Sequence, residues 1–594
     1  MTAQRHSFAL VPLALRSAES YILLCVLLTT ANLNACTGSA GSPKSNPGPP
    51  PAVSIAINPM SASVMEGSGK QFSATVTGTT NESVTWSATG GTITPGGLFT
   101  AGNTAGIFSV TAKSAVDISK SATAQVTVTV PAPPPPPPPP PGTASSIQKD
   151  GITWTLSKAV PVGQFVTGDY YVVGPVTITA ISPAPTTSTP YLNGSVLNLP
   201  TANGKSGFDS RLNDGTDESW WFDSTLRSYP PITLKPGDVL VSSISLGQIH
   251  TDPEVMRASD KSASPVKTVS VLTVLAAAPS ADAFRPSYCD RSQTIYHAGS
   301  LQRDLLPSLA PPNPSGTPTL AQFEAYYRRP WIDTNAFLFD APADYMPSYG
   351  QHVAFADSYA SLLLMLNFSA DQKVNLTNYF VQYGIDLYGC AQAGYGWPAF
   401  GGHRSGRKLP IIFAGILLNN SGMKNVSATF PNIFGEDMQT VYVNQLPPAG
   451  TFTAAWQGAK VIYGGHYGVN ADGSVVSAGL YGPYEQLQPA NWPLINPNEQ
   501  LGEAYRRCCT SVSWVGEALT IHLLHAEATW NHPAFFDYVD RWMTEDDTQA
   551  VVEIKAQSGF DYSANWERQG QTRFWLQGEF PQYTFVDDMW KAYR

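Results

Sequence analysis

The run GWPAFGGHRSGRKLPIIFAGILLNN, residues 396–420, places His403, Arg404, Arg407 and Lys408 close together, between glycines and directly before an apolar stretch. A glycine-rich loop lets the backbone turn sharply and approach a ligand closely. Guanidinium groups and helix N-termini both favour anions, and Pro410 suits the first turn of the helix predicted over 410–418. The cluster reads as a holder of negative charge.

Other loops carry residues of the same chemical kind. AGYGWPAF adds Trp397, FGEDMQTVY adds Glu436 and Asp437, and VIYGGHYG adds His466 and Tyr467. GLYGPYEQLQPANWP adds Tyr481, Tyr484, Glu485 and Trp492, and EAYRRCCTSVSW adds Glu503, Tyr505, Arg506, Arg507 and Trp514. Aromatic faces that stack on pyranose rings, with a few convergent polar groups, make a carbohydrate site.

Two reactions fit this inventory. β-Elimination on a uronic-acid polymer needs a cation to neutralise the carboxylate, a Tyr or His base, and a proton donor for the leaving oxygen. His403, His466, Tyr467, Arg407 and Glu436 are the catalytic candidates. Trp397, Arg404, Lys408, Asp437, Tyr481, Tyr484, Glu485 and Arg506 are the substrate-binding candidates. Hydrolysis instead needs two facing carboxylates, for which Glu436, Asp437, Glu485 and Glu503 are available and Asp357 is an outside candidate. The basic cluster has no role in hydrolysis, which favours elimination. Each residue also has a plainer role: His403 as a backbone cap, Glu436 and Asp437 as first-turn helix residues, Arg506 and Arg507 as ion-pair partners. His522 and His525 read as core or interface histidines rather than metal ligands. No cofactor or metal is expected.

The elements that must position these residues follow from the rest of the chain. Its 594 residues have a charged fraction of 13%, with many Gly, Pro, Tyr and Trp, a profile suited to an exported, carbohydrate-facing, multidomain protein. A formal net charge of -10 argues against a nucleic-acid partner. Residues 1–36 read as a targeting segment, with a short apolar core ending in LNAC. That ending resembles the lipobox of bacterial lipoproteins, which implies lipidation of Cys36 and membrane contact through that anchor alone; plain secretion is the alternative. The envelope surface or the exterior is the expected location. Of six cysteines, Cys289, Cys390, Cys508 and Cys509 remain free to be oxidised after export. Adjacent Cys508 and Cys509 do not easily bridge each other without strain; each could instead reach Cys289 or Cys390, and the sequence leaves the pairing open.

A Ser/Gly/Pro tether spans 37–52. Residues 53–130 alternate apolar and polar residues in short runs, with INP, GSGKQFSATV, VTWSATGGTITPGGLFTAG, GIFSVTAKS and ATAQVTVTV in order. This segment closely resembles the bacterial Ig-like domain, group 2 type, which implies an all-β sandwich acting as a spacer or adhesion module. A polyproline linker is predicted over 131–145. Residues 146–278 are again strand-like and predict a second β-sandwich domain, with Trp220 and Trp221 in one loop. From 279 to 594, apolar helical stretches at 352–369, 371–392, 511–530 and 532–546 alternate with long Gly-rich loops. Stacked hairpins of this kind predict an α/α-toroid-like helical domain.

Taken together, the helices and the His/Tyr/Arg loops resemble polysaccharide lyases of the toroid type, which include alginate, heparin and hyaluronate lyases. The match is in residue types rather than in an aligned motif, and here a β domain precedes the helices. The resemblance implies cleavage of an acidic polysaccharide by β-elimination. A glycoside hydrolase on similar scaffolding, or a non-catalytic glycan-binding or adhesion protein, are the alternatives.

Overall fold

The computed structural model describes residues 52–104, 106–129, 142–200, 204–213, 222–247, 265–334, 345–347, 350–492, 501–558 and 584–594. The targeting segment, nearly all of the tether, most of the polyproline linker, and Trp220 and Trp221 lie outside the described residues. The N-terminal half is rich in sheet and the C-terminal region is helical.

Between 53 and 129 the strands form sheets of two, four and three strands. Ser61–Met65 runs parallel to Ser121–Thr129, which pairs antiparallel with Gly106–Ser114. Period-two alternation sends Ile57, Phe72, Phe99, Val110 and Val126 into one apolar core.

The next strand starts at Gly142, inside the stretch assigned to the linker. It pairs with Ile152–Gln164 in an eight-stranded sheet. In this sheet Val239–Ser245 lies antiparallel to Val266–Leu275, which also pairs in parallel with Tyr170–Val173. The last ten-residue strand is buried at nearly every position, so both of its faces are covered. Leu272 and Val274 join Trp154 in the core of the sheet's own domain. Val269 and Val271 instead join the core of the helical region. Arg285, fully buried, locks the same junction: its Nε donates to Asp169 Oδ2 at 2.9 Å and its guanidinium holds Asp386 at 2.6 and 3.0 Å. A buried cation held by two carboxylates fixes geometry more than it stabilises.

The helical region follows the sequence pattern closely. Gly350–Leu364 is buried along almost its whole length. Ser369 caps Ala370–Gln392 through a capping box with Gln372. Lys408–Leu417 packs on Ala370–Gln392 so tightly that a Cβ on Gly384 would lie 2.2 Å from Pro410 O. Ser511–Leu523 is followed by a short turn of helix, Glu527–Trp530, and Asn531 then takes a left-handed conformation before Pro533–Thr544. Cys289 and Cys390 pair with each other. Cys509 is also disulfide-bonded, so a bridge from it to either of those two is not formed.

Candidate active site

The loop after Ala370–Gln392 is pinned first. Trp397 donates its backbone N–H to Ile433 O at 2.6 Å, and its ring stacks on Phe434 with centroids 6.2 Å apart. Gly401 follows with a φ of 54° and donates to His466 O at 2.7 Å. A Cβ at Gly401 would lie 2.7 Å from both His466 Cε1 and Tyr505 Cδ1, so this glycine lets the His466 loop close on Tyr505, which ends the short helix Leu501–Tyr505 rather than lying in the expected loop. The buried Gln439 amide nitrogen sits beneath them, 3.0 Å from Gly401 O, 3.1 Å from His466 O and 3.1 Å from the Tyr463 hydroxyl.

On this base stands a cluster of rings. Phe400 lies 4.8 Å from His403, 5.0 Å from His466 and 5.5 Å from Tyr467, centroid to centroid. His466 in turn meets Tyr467 at 4.8 Å, Tyr505 at 4.7 Å and Tyr481 at 5.9 Å. The Arg404 guanidinium carbon lies 5.8 Å from the Phe400 ring centre. Phe400, His403, Arg404, His466, Tyr467, Tyr481 and Tyr505 thus converge, and four of the sequence-predicted residues, His403, Arg404, His466 and Tyr467, meet here with Tyr481 beside them.

Burial sets the electrostatics. It pushes His466 down to about 4. His403 falls to about 3, through burial first and then through His466 and Arg404. Both imidazoles are neutral at neutral pH. Burial raises Tyr467 and Tyr505, each helped by a neighbouring tyrosine, so both phenols keep their protons. His466 Nδ1 is enclosed without a hydrogen-bond partner. Neutral acceptors, protonated phenols and a guanidinium around one point are the parts of proton-transfer chemistry on an anionic substrate.

The other candidates lie elsewhere. Arg407 is 1% exposed and donates to Asp333 Oδ2 at 2.8 Å. Lys408 is 0% exposed, holds both Asp437 oxygens at 2.6 Å and sits 4.3 Å from the centre of the Trp530 ring. Both cations are neutralised inside the fold, so the four basic residues do not act as one anion-binding unit. Trp397 is buried under Phe434 and offers no exposed face. Tyr484, Glu485 and Arg506 belong to a separate buried network. There Tyr484 Oη donates to Glu503, Arg506 pairs with Glu503, Glu545 and Glu485, and Arg541 holds Glu485 at 2.6 Å.

Glu436 lies deeper still. Gly406 N–H donates to its Oε1, and its Oε2 has no hydrogen-bond partner. Burial raises its pKa, and Glu517 and Asp357, also fully buried, are raised by burial first, Glu517 then by Glu436 and Asp357, and Asp357 then by Asp333 and Glu436. Both Glu517 oxygens lack partners. This is an enclosed group of carboxyls beside Arg407 and Lys408. Among the described residues, no group of His, Cys, Asp and Glu has the arrangement of a metal site.

Gln439 and Phe400 escape a reading of residue types, since an amide and a phenylalanine carry no chemical signature of their own. Tyr505 stands in the loop inventory, but nothing in the spacing ties it to His466. Comparison of the chain with protein-family models gives no match, and comparison with curated proteins gives none either.

Proposed function

We propose that the protein is an exported enzyme that cleaves a uronic-acid-containing polysaccharide by β-elimination at the His403, His466, Tyr467 and Tyr505 cluster. The observation that carries this reading is the convergence of two neutral imidazoles and two protonated phenols on one point beside Arg404. Arg404 neutralises the uronate carboxylate and the neutral His403 donates a hydrogen bond to it, which acidifies the C5 proton. His466 takes that proton. The C5–H electron pair forms the C4–C5 double bond, the C4–O bond breaks, and the leaving oxygen takes a proton from Tyr467. Arrival of the carboxylate raises both imidazole pKa values and makes His466 a stronger base.

Hydrolysis fits less well. Glu436 and Glu485 are fully buried, and Glu485 is held by Arg541, whereas a hydrolase needs two carboxyls facing the glycosidic bond.

The finer architecture belongs to the same proposal. Residues 53–130 form an Ig-like spacer, 146–278 a second β-sandwich, and 279–594 a toroid-like catalytic domain, held off the envelope by the tether and a lipid anchor. The test is incubation with a panel of uronic-acid polymers while following the ultraviolet absorbance of an unsaturated uronide. Its appearance supports elimination. New reducing ends without it mean hydrolysis, and binding without either product means an adhesion protein.

A further inference from the structure

Next to the ring cluster lies a cleft of about 460 Å³. We infer that it binds an uncharged sugar of the substrate chain, so that the polymer cleaved mixes uronate with neutral residues; this rests on reading the ring cluster as a uronate lyase site.

Val469 and Asn470 line the cleft, and Tyr467 stands two residues before Val469, at most about 7 Å of chain away. Met438 joins the two places. It lines the cleft, its backbone carbonyl accepts from Val469 N–H at 2.7 Å, and its sulfur accepts from the N–H of Ala399, the neighbour of Phe400. A chain held at the ring cluster therefore has its next residues within reach of the cleft.

None of the described residues lining the cleft is Arg or Lys. Its acidic members are Asp437 and Asp472, and only Asp437 has a cation against it, the buried Lys408. A uronate carboxylate would enter a neutral-to-negative wall with no counter-charge and would be disfavoured. The remaining polar groups are mainly amides, with Asn444 and Gln445 exposed on one rim, together with the partly buried Phe430 ring. Amides that both donate and accept, beside an aromatic face, match sugar hydroxyls and a pyranose ring.

The experiment is calorimetric titration of the full-length protein with three tetramers: N-acetylglucosamine, cellotetraose and galacturonate. The wild type is compared with Ala449→Trp, which fills the cleft from an exposed rim position, and with the Asn444→Ala/Gln445→Ala double variant, which only trims two exposed side chains. At least one neutral tetramer is expected to bind, and both variants are expected to weaken it, Ala449→Trp by about tenfold or more. The inference is overturned if neither neutral tetramer binds, if binding ignores both variants, or if galacturonate binding falls in parallel. Titration needs no turnover, so the two readings fail separately. Neutral binding without unsaturated product from any polymer would remove the lyase reading and leave a neutral-glycan site. Unsaturated product without neutral binding would do the reverse.

Discussion

His466 and Tyr505 meet edge to face, with ring centroids 4.7 Å apart and planes at 86°. His466 comes from a loop and Tyr505 from the end of the short helix Leu501–Tyr505, and the contact exists because Gly401 presents no side chain between them. Gly401→Ala adds a methyl into both rings at a backbone angle that L-residues adopt with strain. We predict a loss of turnover of about tenfold or more, with a destabilisation of about 1–3 kcal/mol. Steady-state kinetics and thermal melts measure the two effects, and full activity would mean the ring contact is unimportant.

Arg404 and Arg407 stand three positions apart and should behave oppositely. Arg407 is buried against Asp333. Arg407→Ala leaves a buried carboxylate without its cation and should cost about 3–5 kcal/mol of stability. Arg404 is only partly buried, at the ring cluster, and Arg404→Ala should cost turnover on uronate polymers while moving the melting temperature little. A pair of melting curves decides this; equal destabilisation of both variants would assign Arg404 a packing role.

Stability should depend on pH through two opposed groups. Glu517 is raised by burial and by Glu436 and Asp357, so its contribution is full below the unfolded value and is lost as pH rises through the folded one. Glu517→Gln should leave stability unchanged near about pH 4 and raise it near about pH 8. His466 is lowered to about 4, so the folded state loses stability as pH falls from about 6.5 toward that value. His466→Phe should remove that acid-side loss. Denaturant melts across pH check both slopes, and a Glu517→Gln variant less stable at high pH would contradict the assignment.

The Cys289–Cys390 bridge spans 101 residues of sequence and ties the segment before the first helices to the end of Ala370–Gln392. Closing a loop of that length restricts the unfolded chain strongly. A Cys289→Ser/Cys390→Ser double variant should be less stable by about 2–4 kcal/mol, read from urea denaturation of the oxidised protein. An unchanged midpoint would show that the bridge contributes nothing.

Local signals in the sequence carried much of this architecture. Ser369 and Asp371 announce a helix start as N-cap residues, Asn531 and Pro533 announce a break and restart, and alternation in 53–130 marks strands. His403, Arg404, His466 and Tyr467 could be named because histidines and cations in glycine loops are chemically conspicuous. The fate of Arg407 and Lys408 could not be read, because it depends on Asp333 and Asp437 arriving from other segments to neutralise them. The same holds for Tyr484, Glu485 and Arg506, whose identities suit a sugar site but whose partners make them a buried network. Gln439 shows the limit most plainly: its role comes from the carbonyls that surround it, and nothing in its own neighbourhood specifies them.

The central claim is that the ring cluster performs β-elimination on a uronate. The most direct measurement follows unsaturated uronide formation from a panel of acidic polysaccharides with the wild type, His466→Ala and Tyr467→Phe. We predict that at least one polymer yields the unsaturated product with the wild type and that both variants lose the activity while remaining folded. Cleavage without that product, or undiminished formation of it by both variants, would contradict the account.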